Sequence, residues 1–297
     1  MESINNILLK KVLNVEAEFD FECDALVGVN DQEKRRILTY CSDARYVDVI
    51  NGKDNVIAVF TKDSVAGKIS DDKAKIIVED PIWSFFQLMN FLTEQINFKD
   101  STIGKGCIIA RSSSIPDKGV EIADNVIIED NVVIFSGVKI GQGCIIKAGA
   151  VLGSDGFEKK RTSKGIISVK HDGWLIISDQ VEIGVNSFVA KGFSYRHTVI
   201  EREVKIDDLV HVAHGVHIGK STLIAANAMV SGHATIGDNV WIGPSSSISN
   251  RVTVGNNASV TIGAVVVGTV PEGETVTGNF AIQHMKFLRN FKDSLKK

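Results

Sequence analysis

From Ile200 onward every sixth residue is Ile or Val: Ile206, Val212, Ile218, Ile224, Val230, Ile236, Ile242, Ile248, Val254, Val260 and Val266. An α-helix repeats its buried stripe about every 3.6 residues and a strand alternates every two, so neither sustains a strict six. Short strands joined by regular corners do, which makes the chain a solenoid of stacked coils. Two residues before each large inward position stands a smaller one, from Val204, Val210 and Val216 through Thr222, Ala228 and Ala234 to Ala258 and Ala264. A glycine often follows the large residue, as at Gly219, Gly237, Gly243 and Gly255. These glycines are read as corners that need a permissive backbone.

The same register runs earlier through Ile103, Ile109 and Ile115, then Ile122, Ile128, Ile134, Ile140, Ile146 and Leu152, and again through Ile177, Ile183 and Val189. With three hexads to a coil, these positions predict about eight coils at the strand spacing of roughly 4.8 Å, a prism about 40 Å long. A break in a solenoid must loop outward, and such loops gather on a working face. The largest runs from Gly153 to Leu175, and a smaller slip separates Val189 from Ile200.

Both ends differ from this middle. Residues 1–100 read as a mixed α/β cap, with strands at Ile37–Tyr40, Val56–Phe60 and Ala74–Val78 and a helix that starts at Pro81 and runs through Leu92. Residues 101–271 form the repeat, interrupted by the 153–175 insertion, and 272–297 read as an exit followed by one helix. The expected fold is therefore all-β dominated, a parallel β-helix with an N-terminal α/β cap and a short C-terminal helix.

The bulk numbers exclude more than they assign. A net charge of −3 over 297 residues, with both signs scattered, argues against a nucleic-acid binder. Lys286, Arg289, Lys292, Lys296 and Lys297 make one terminal basic cluster, read as an ordinary solvated tail. No apolar run reaches the ~20 residues of a membrane span. Cys23, Cys41, Cys107 and Cys144 form no C-x-x-C pair, and a reducing cytoplasm is the expected location.

Hexads of this kind resemble those of the left-handed β-helix acyltransferases, and the left hand is implied by that resemblance alone. The order of cap, helix and tail resembles UDP-3-O-acylglucosamine N-acyltransferase of lipid A synthesis, and the resemblance is read over nearly the whole chain. Ile37 to Tyr46 is similar to that family's cap motif, which implies that Tyr40 and Tyr46 stack on a pyrimidine, with Asp43 where the family has Asn. Gly153-Ser154-Asp155-Gly156-Phe157 resembles its G-x-D-G-F loop. Ile206 to His214 resembles its catalytic I-D-N-x-x-x-I-A-H stretch, and Gly278-Asn279-Phe280-Ala281 its exit toward the acyl carrier. Arg251 stands where a second histidine is expected, Val189-Ala190-Lys191-Gly192 replaces I-D-R-G, and the long C-terminal arm is mostly absent. The architecture also resembles enzymes that N-acylate nucleotide-linked deoxyamino sugars of surface polysaccharides, and the departures favour these.

Acyl transfer from a thioester to an amine needs a base for the amine proton and a donor for the oxyanion. His214 suits the first role, with Asp207 to orient it through the other ring nitrogen. Gly232, eighteen residues on and so one coil away, offers a backbone N–H for the second and leaves room for the thioester. Asp155 and Phe157 either shape the loop or touch substrate. Tyr40 and Tyr46 are either a stacking pair or cap core, and Lys191 and Arg251 are candidate partners for a pyrophosphate or carrier phosphate. His211, His217 and His233 are read as solvated or subunit-seam residues. Metal ligation by His211, His214 and His217 is not expected, because their spacing puts them on different faces. The leading reading is a homotrimeric enzyme that uses acyl-CoA or acyl carrier protein and a dTDP- or UDP-linked amino sugar, without metal. The lipid A enzyme and a non-catalytic scaffold are the alternatives.

Overall fold

The computed structural model describes residues 3–29, 33–194, 196–278 and 280–294. The hexads form three parallel sheets of eight, nine and seven strands, one per face of a prism. Residues eighteen apart pair directly, as in His211↔Met229, Met229↔Ser247 and Ser247↔Val265 on one face. The inward Ile, Val and Ala positions make one continuous core from Val120 to Val270. A further strand, Thr275–Val276, pairs with Ser259–Val260 and carries a partial coil past residue 271.

Two expectations about the repeat change. The interval after Val189 is an insertion rather than a slip, because Ile177 pairs with Ile200, twenty-three positions on, where the regular coil would take eighteen. The glycines after the large inward residues are required by the neighbouring coil. A Cβ on Gly219 would stand 2.5 Å from the Gly237 carbonyl carbon, and one on Gly255 would stand 2.5 Å from the Glu272 nitrogen. The left-handed corner lies two residues later, at Ser221, Asn239 and Asn257, with φ of 55°, 54° and 58°. Asn tolerates that region because its short polar side chain bonds locally.

The cap is a four-stranded parallel sheet in sequence order: Ala25–Leu26, Ile37–Cys41, Val56–Thr61 and Ala74–Ile77. Helices Asn6–Leu13 and Pro81–Glu94 pack on it, the second capped by Asp80, which accepts from Trp83 N at 2.9 Å. The helix Asn6–Leu13 and the two-residue strand Ala25–Leu26 went unpredicted because both are too short for a clear period.

The 153–175 insertion ends in a hairpin, Lys159–Thr162 against Gly165–Ser168, which clasps the cap to the prism. Asn90 of the cap helix donates to Ser168 O and accepts from Lys170 N, both at 2.8 Å. Asp80 takes Ser163 N on its second oxygen at 2.6 Å. Val169 of this loop and Phe193 of the second insertion join the cap's apolar core. The C-terminal helix His284–Ser294 is exposed along its length. No helix of the described residues is long and apolar enough to cross a membrane.

Candidate active site

Where the two insertions meet the cap, the prism edge opens into a cleft of about 700 Å³. Its floor is a corner column of the β-helix. His214, Gly232 and Asn250 occupy one position in successive coils, and His233 and Arg251 occupy the next in two of them. The backbone holds the columns in register, with His233 N donating to His214 O at 2.9 Å and Arg251 N to Gly232 O at 3.0 Å. His233 and Arg251 both take φ +60°, the left-handed region that costs a side chain other than Asn or Gly. The opposite wall is the cap, with Tyr40, Asp43, Arg45, Tyr46 and Phe86.

His214 is almost enclosed, 7% exposed. The two glycines beside it exist for its ring. A Cβ on Gly232 would lie 2.7 Å from Nε2, and one on Gly156 would lie 2.5 Å from Nδ1. His171, Phe193 and His233 pack edge-on around it at centroid distances of 5.3, 5.0 and 5.1 Å. Burial holds the His214 imidazolium down, Glu158 works against that, and Lys160, His211 and Arg251 add to it. Burial also lowers His171 to about 4 and His233 to about 3. The cluster is therefore neutral near pH 7. The His171 tautomer follows from its bonds, since Nε2 accepts from Gly156 N at 3.1 Å and Nδ1 faces Val169 O at 3.2 Å. His214 Nδ1 has no hydrogen-bond partner among the described residues.

The expected orienting carboxylate is not the one present. Asp207 is exposed and its Oδ2 accepts from Ala226 N at 3.2 Å, so it braces two coils and does not reach His214. A coil is flat and its corners point apart, so closeness in sequence did not bring the two together. The carboxylate at His214 is Glu158, whose Oε2 lies 3.5 Å from Nε2, with side-chain exposures of 9% for the histidine and 14% for the glutamate. Gly232 keeps its expected place and leaves room first for the imidazole. Its N–H makes no hydrogen bond among the described residues.

Tyr40 lines the cleft and packs on Phe85 and Phe86 at 4.9 and 5.8 Å. Tyr46 and Phe157 line the cleft and are exposed. Asp43 caps the turn Ala44–Tyr46 and pairs with Arg45 at 2.8 Å, which holds its carboxyl below the usual range. Arg251 lines the cleft. Lys191 does not, because it pairs with Asp155 at 3.4 Å and the two brace the start of the loop. Gly278 packs on Gly263 and Ala264, and neither it nor the exposed Ala281 borders the cleft; Asn279 lies outside the described residues. His233, expected in solvent or at a seam, belongs to the buried cluster. Glu158, Lys160, His171 and Phe193 were missed, and no local pattern marks them. Their only signal was that they sit in the two register breaks.

Known proteins decide what this frame is. The family described as bacterial transferase hexapeptide (six repeats) matches residues 119–154 and 197–232, and the hexapeptide repeat of succinyl-transferase matches 99–136 and 233–267. Hexapeptide repeats of these two kinds therefore run through residues 99–154 and 197–267. Among curated proteins, the chain resembles UDP-3-O-acylglucosamine N-acyltransferase of Caulobacter vibrioides, 46% identical over 142 residues, which is 48% of this chain and 42% of the relative. The Coxiella burnetii enzyme of that name is 46% identical over 84 residues, 28% of this chain and 24% of its own. The chain thus spans less than half the length of the curated relatives it matches, and the aligned stretch is half the chain rather than nearly all of it. Among solved structures, UDP-N-acetylglucosamine acyltransferases from Bacteroides fragilis and Arabidopsis superpose with TM-scores of 0.54 and 0.51 at 23% and 21% identity. Each match covers 65% of this chain, with 74% and 73% of the other. That likeness shows the fold, a left-handed parallel β-helix.

Proposed function

We propose that the cleft moves an acyl group from a thioester to the amino group of a pyrimidine-nucleotide-linked amino sugar. The observation that carries the reading is His214, a buried neutral imidazole whose Nε2 faces the cleft beside the Gly232 backbone. With its proton on Nδ1, Nε2 has a lone pair to take the amine proton as the C–N bond forms. The Gly232 N–H then holds the oxyanion of the tetrahedral intermediate. On the cap wall, Tyr40 and Tyr46 supply faces for a pyrimidine, and Arg251 and Lys160 supply positive charge for a diphosphate.

The likeness to UDP-3-O-acylglucosamine N-acyltransferases favours a UDP-linked, 3-O-acylated glucosamine as acceptor. Arg251 in the floor of the cleft supports the second reading, a dTDP- or UDP-linked deoxyamino sugar acylated from coenzyme A. The cleft lies open along a prism edge, and a homotrimer that lays a second prism against that edge would close it. The free cysteines Cys23, Cys41, Cys107 and Cys144 fit a reducing cytoplasm.

The test pairs UDP- and dTDP-linked amino sugars with acyl-CoA and acyl carrier protein thioesters and follows thiol release. Release that needs both substrates is the expected result. A scaffold would release none, and its melting temperature would not respond to UDP, dTDP or coenzyme A.

A further inference from the structure

Glu158 has no part in the chemistry described so far, yet the insertion delivers it to the reacting edge of His214. Its backbone is fixed at the root of the hairpin, with Glu158 N donating to Gly156 O and Glu158 O accepting from Val169 N, both at 3.0 Å. Its Oε1 is paired with Lys160, whose ammonium sits over the Phe86 ring of the cap at 5.3 Å. Its Oε2 is turned to His214 Nε2 at 3.5 Å, and both groups line the cleft. Two proton acceptors therefore stand side by side where a single acceptor atom of the substrate would enter.

We infer that Glu158 selects an amine over a hydroxyl as the acyl acceptor. This rests on the acyl-transfer reading above. The argument is one of proton count. An amino sugar arrives near neutral pH as an ammonium, R–NH₃⁺, which must lose one proton to expose the nitrogen lone pair and a second as it becomes an amide. The first passes to the Glu158 carboxylate. The freed nitrogen then forms its bond to the thioester carbon while His214 Nε2 takes the second. The C–S bond breaks, His214 returns its proton to the leaving sulfur, and Glu158 gives the other to water. The sum is R–NH₃⁺ plus acyl thioester giving amide, thiol and one H⁺. A hydroxyl carries one proton and no charge, so it uses His214 alone and brings no ammonium to Glu158 Oε2, whose carboxylate keeps only Lys160 on its other oxygen. The charge-assisted bond from the ammonium to Oε2 is what discriminates, because a neutral hydroxyl cannot replace it.

The experiment measures binding by calorimetry, so it does not depend on turnover. The probes are UDP- and dTDP-linked sugars with an amine at carbon 2, 3 or 4, each set against its hydroxyl twin. For the best-bound amine, the parent protein binds at least ~10-fold more tightly than the twin, the worth of one charge-assisted hydrogen bond. Glu158→Gln brings the two within twofold while UDP or dTDP alone binds as before, and Glu158→Asp, which keeps the charge, keeps part of the preference. A parent with no preference overturns the assignment, as does a Glu158→Gln protein that retains it. Equal weakening of nucleotide alone would reduce Glu158 to a support of the cleft wall and also overturns it. Absence of thiol release with every donor would sink the acyl-transfer reading instead, and the calorimetric preference would still be decided.

Discussion

Nε2 of His214 lies 2.7 Å from the point where a Cβ on Gly232 would stand, so one coil of the prism is hollowed to seat the side chain of the coil before it. Gly232 does not have the positive φ that would forbid alanine. Gly232→Ala should therefore fold and keep its melting temperature within a few degrees while pushing the imidazole off its seat. We expect turnover to fall about 100-fold, the scale of a misplaced general base, and His214→Ala to fall at least as far. Thiol release measured with melting curves checks both, and parental turnover in either variant would remove His214 from the chemistry.

The histidine cluster should make the fold acid-sensitive. His233 and His171 titrate near 3 and 4 in the folded chain against an ordinary 6.5, because burial disfavours their charged forms. A depressed folded value means that the stabilisation is complete above 6.5 and is lost as pH falls from there toward 4 and 3. His233→Asn, at a φ of +60° that Asn tolerates, removes one of these groups. Its melting temperature should fall less steeply than the parent's between pH 6.5 and 4. Parallel curves would show that His233 stays neutral for no energetic reason.

Asp172 acts with the opposite sign. Burial between the cap and the prism raises its carboxyl from 3.8 to about 6, and Oδ1 has no hydrogen-bond partner among the described residues. A raised acid contributes stability below its unfolded value and loses it as pH climbs through 6. Asp172→Asn should be more stable than the parent at pH 8 by on the order of 1–2 kcal/mol and indistinguishable at pH 4. Denaturant unfolding at the two pH values measures the difference. Equal stability at pH 8 would mean that Arg35 and Lys191 already compensate the charge.

Asn90 ties the cap helix to the insertion by two hydrogen bonds, and the same insertion carries Gly156 and Glu158. Asn90→Ala should cost about 2 kcal/mol, at roughly 1 kcal/mol for each bond. It should also lower activity, although the residue touches no substrate. Limited proteolysis within the hairpin should speed up in parallel. Unchanged cleavage with lost activity would argue against the clasp.

Sequence alone determined the prism, because a core of stacked coils leaves its mark at every sixth residue, independent of anything distant. It also determined that His214 and Gly232 stack, since that follows from counting one coil. What only the tertiary structure decided is what surrounds them. Asp207 is seven residues from His214 and does not reach it, because a flat coil sends adjacent corners to different edges. Glu158 is fifty-six residues away and lies against Nε2, because a register break must leave the prism, and the cap helix folds it back onto the corner column. Lys191, a candidate partner for a phosphate, and Asp155, read as shaping the loop or touching substrate, meet each other. Periodic burial is a local property that composition records, whereas the company a catalytic side chain keeps depends on where two irregular loops are clamped, and no repeat encodes that.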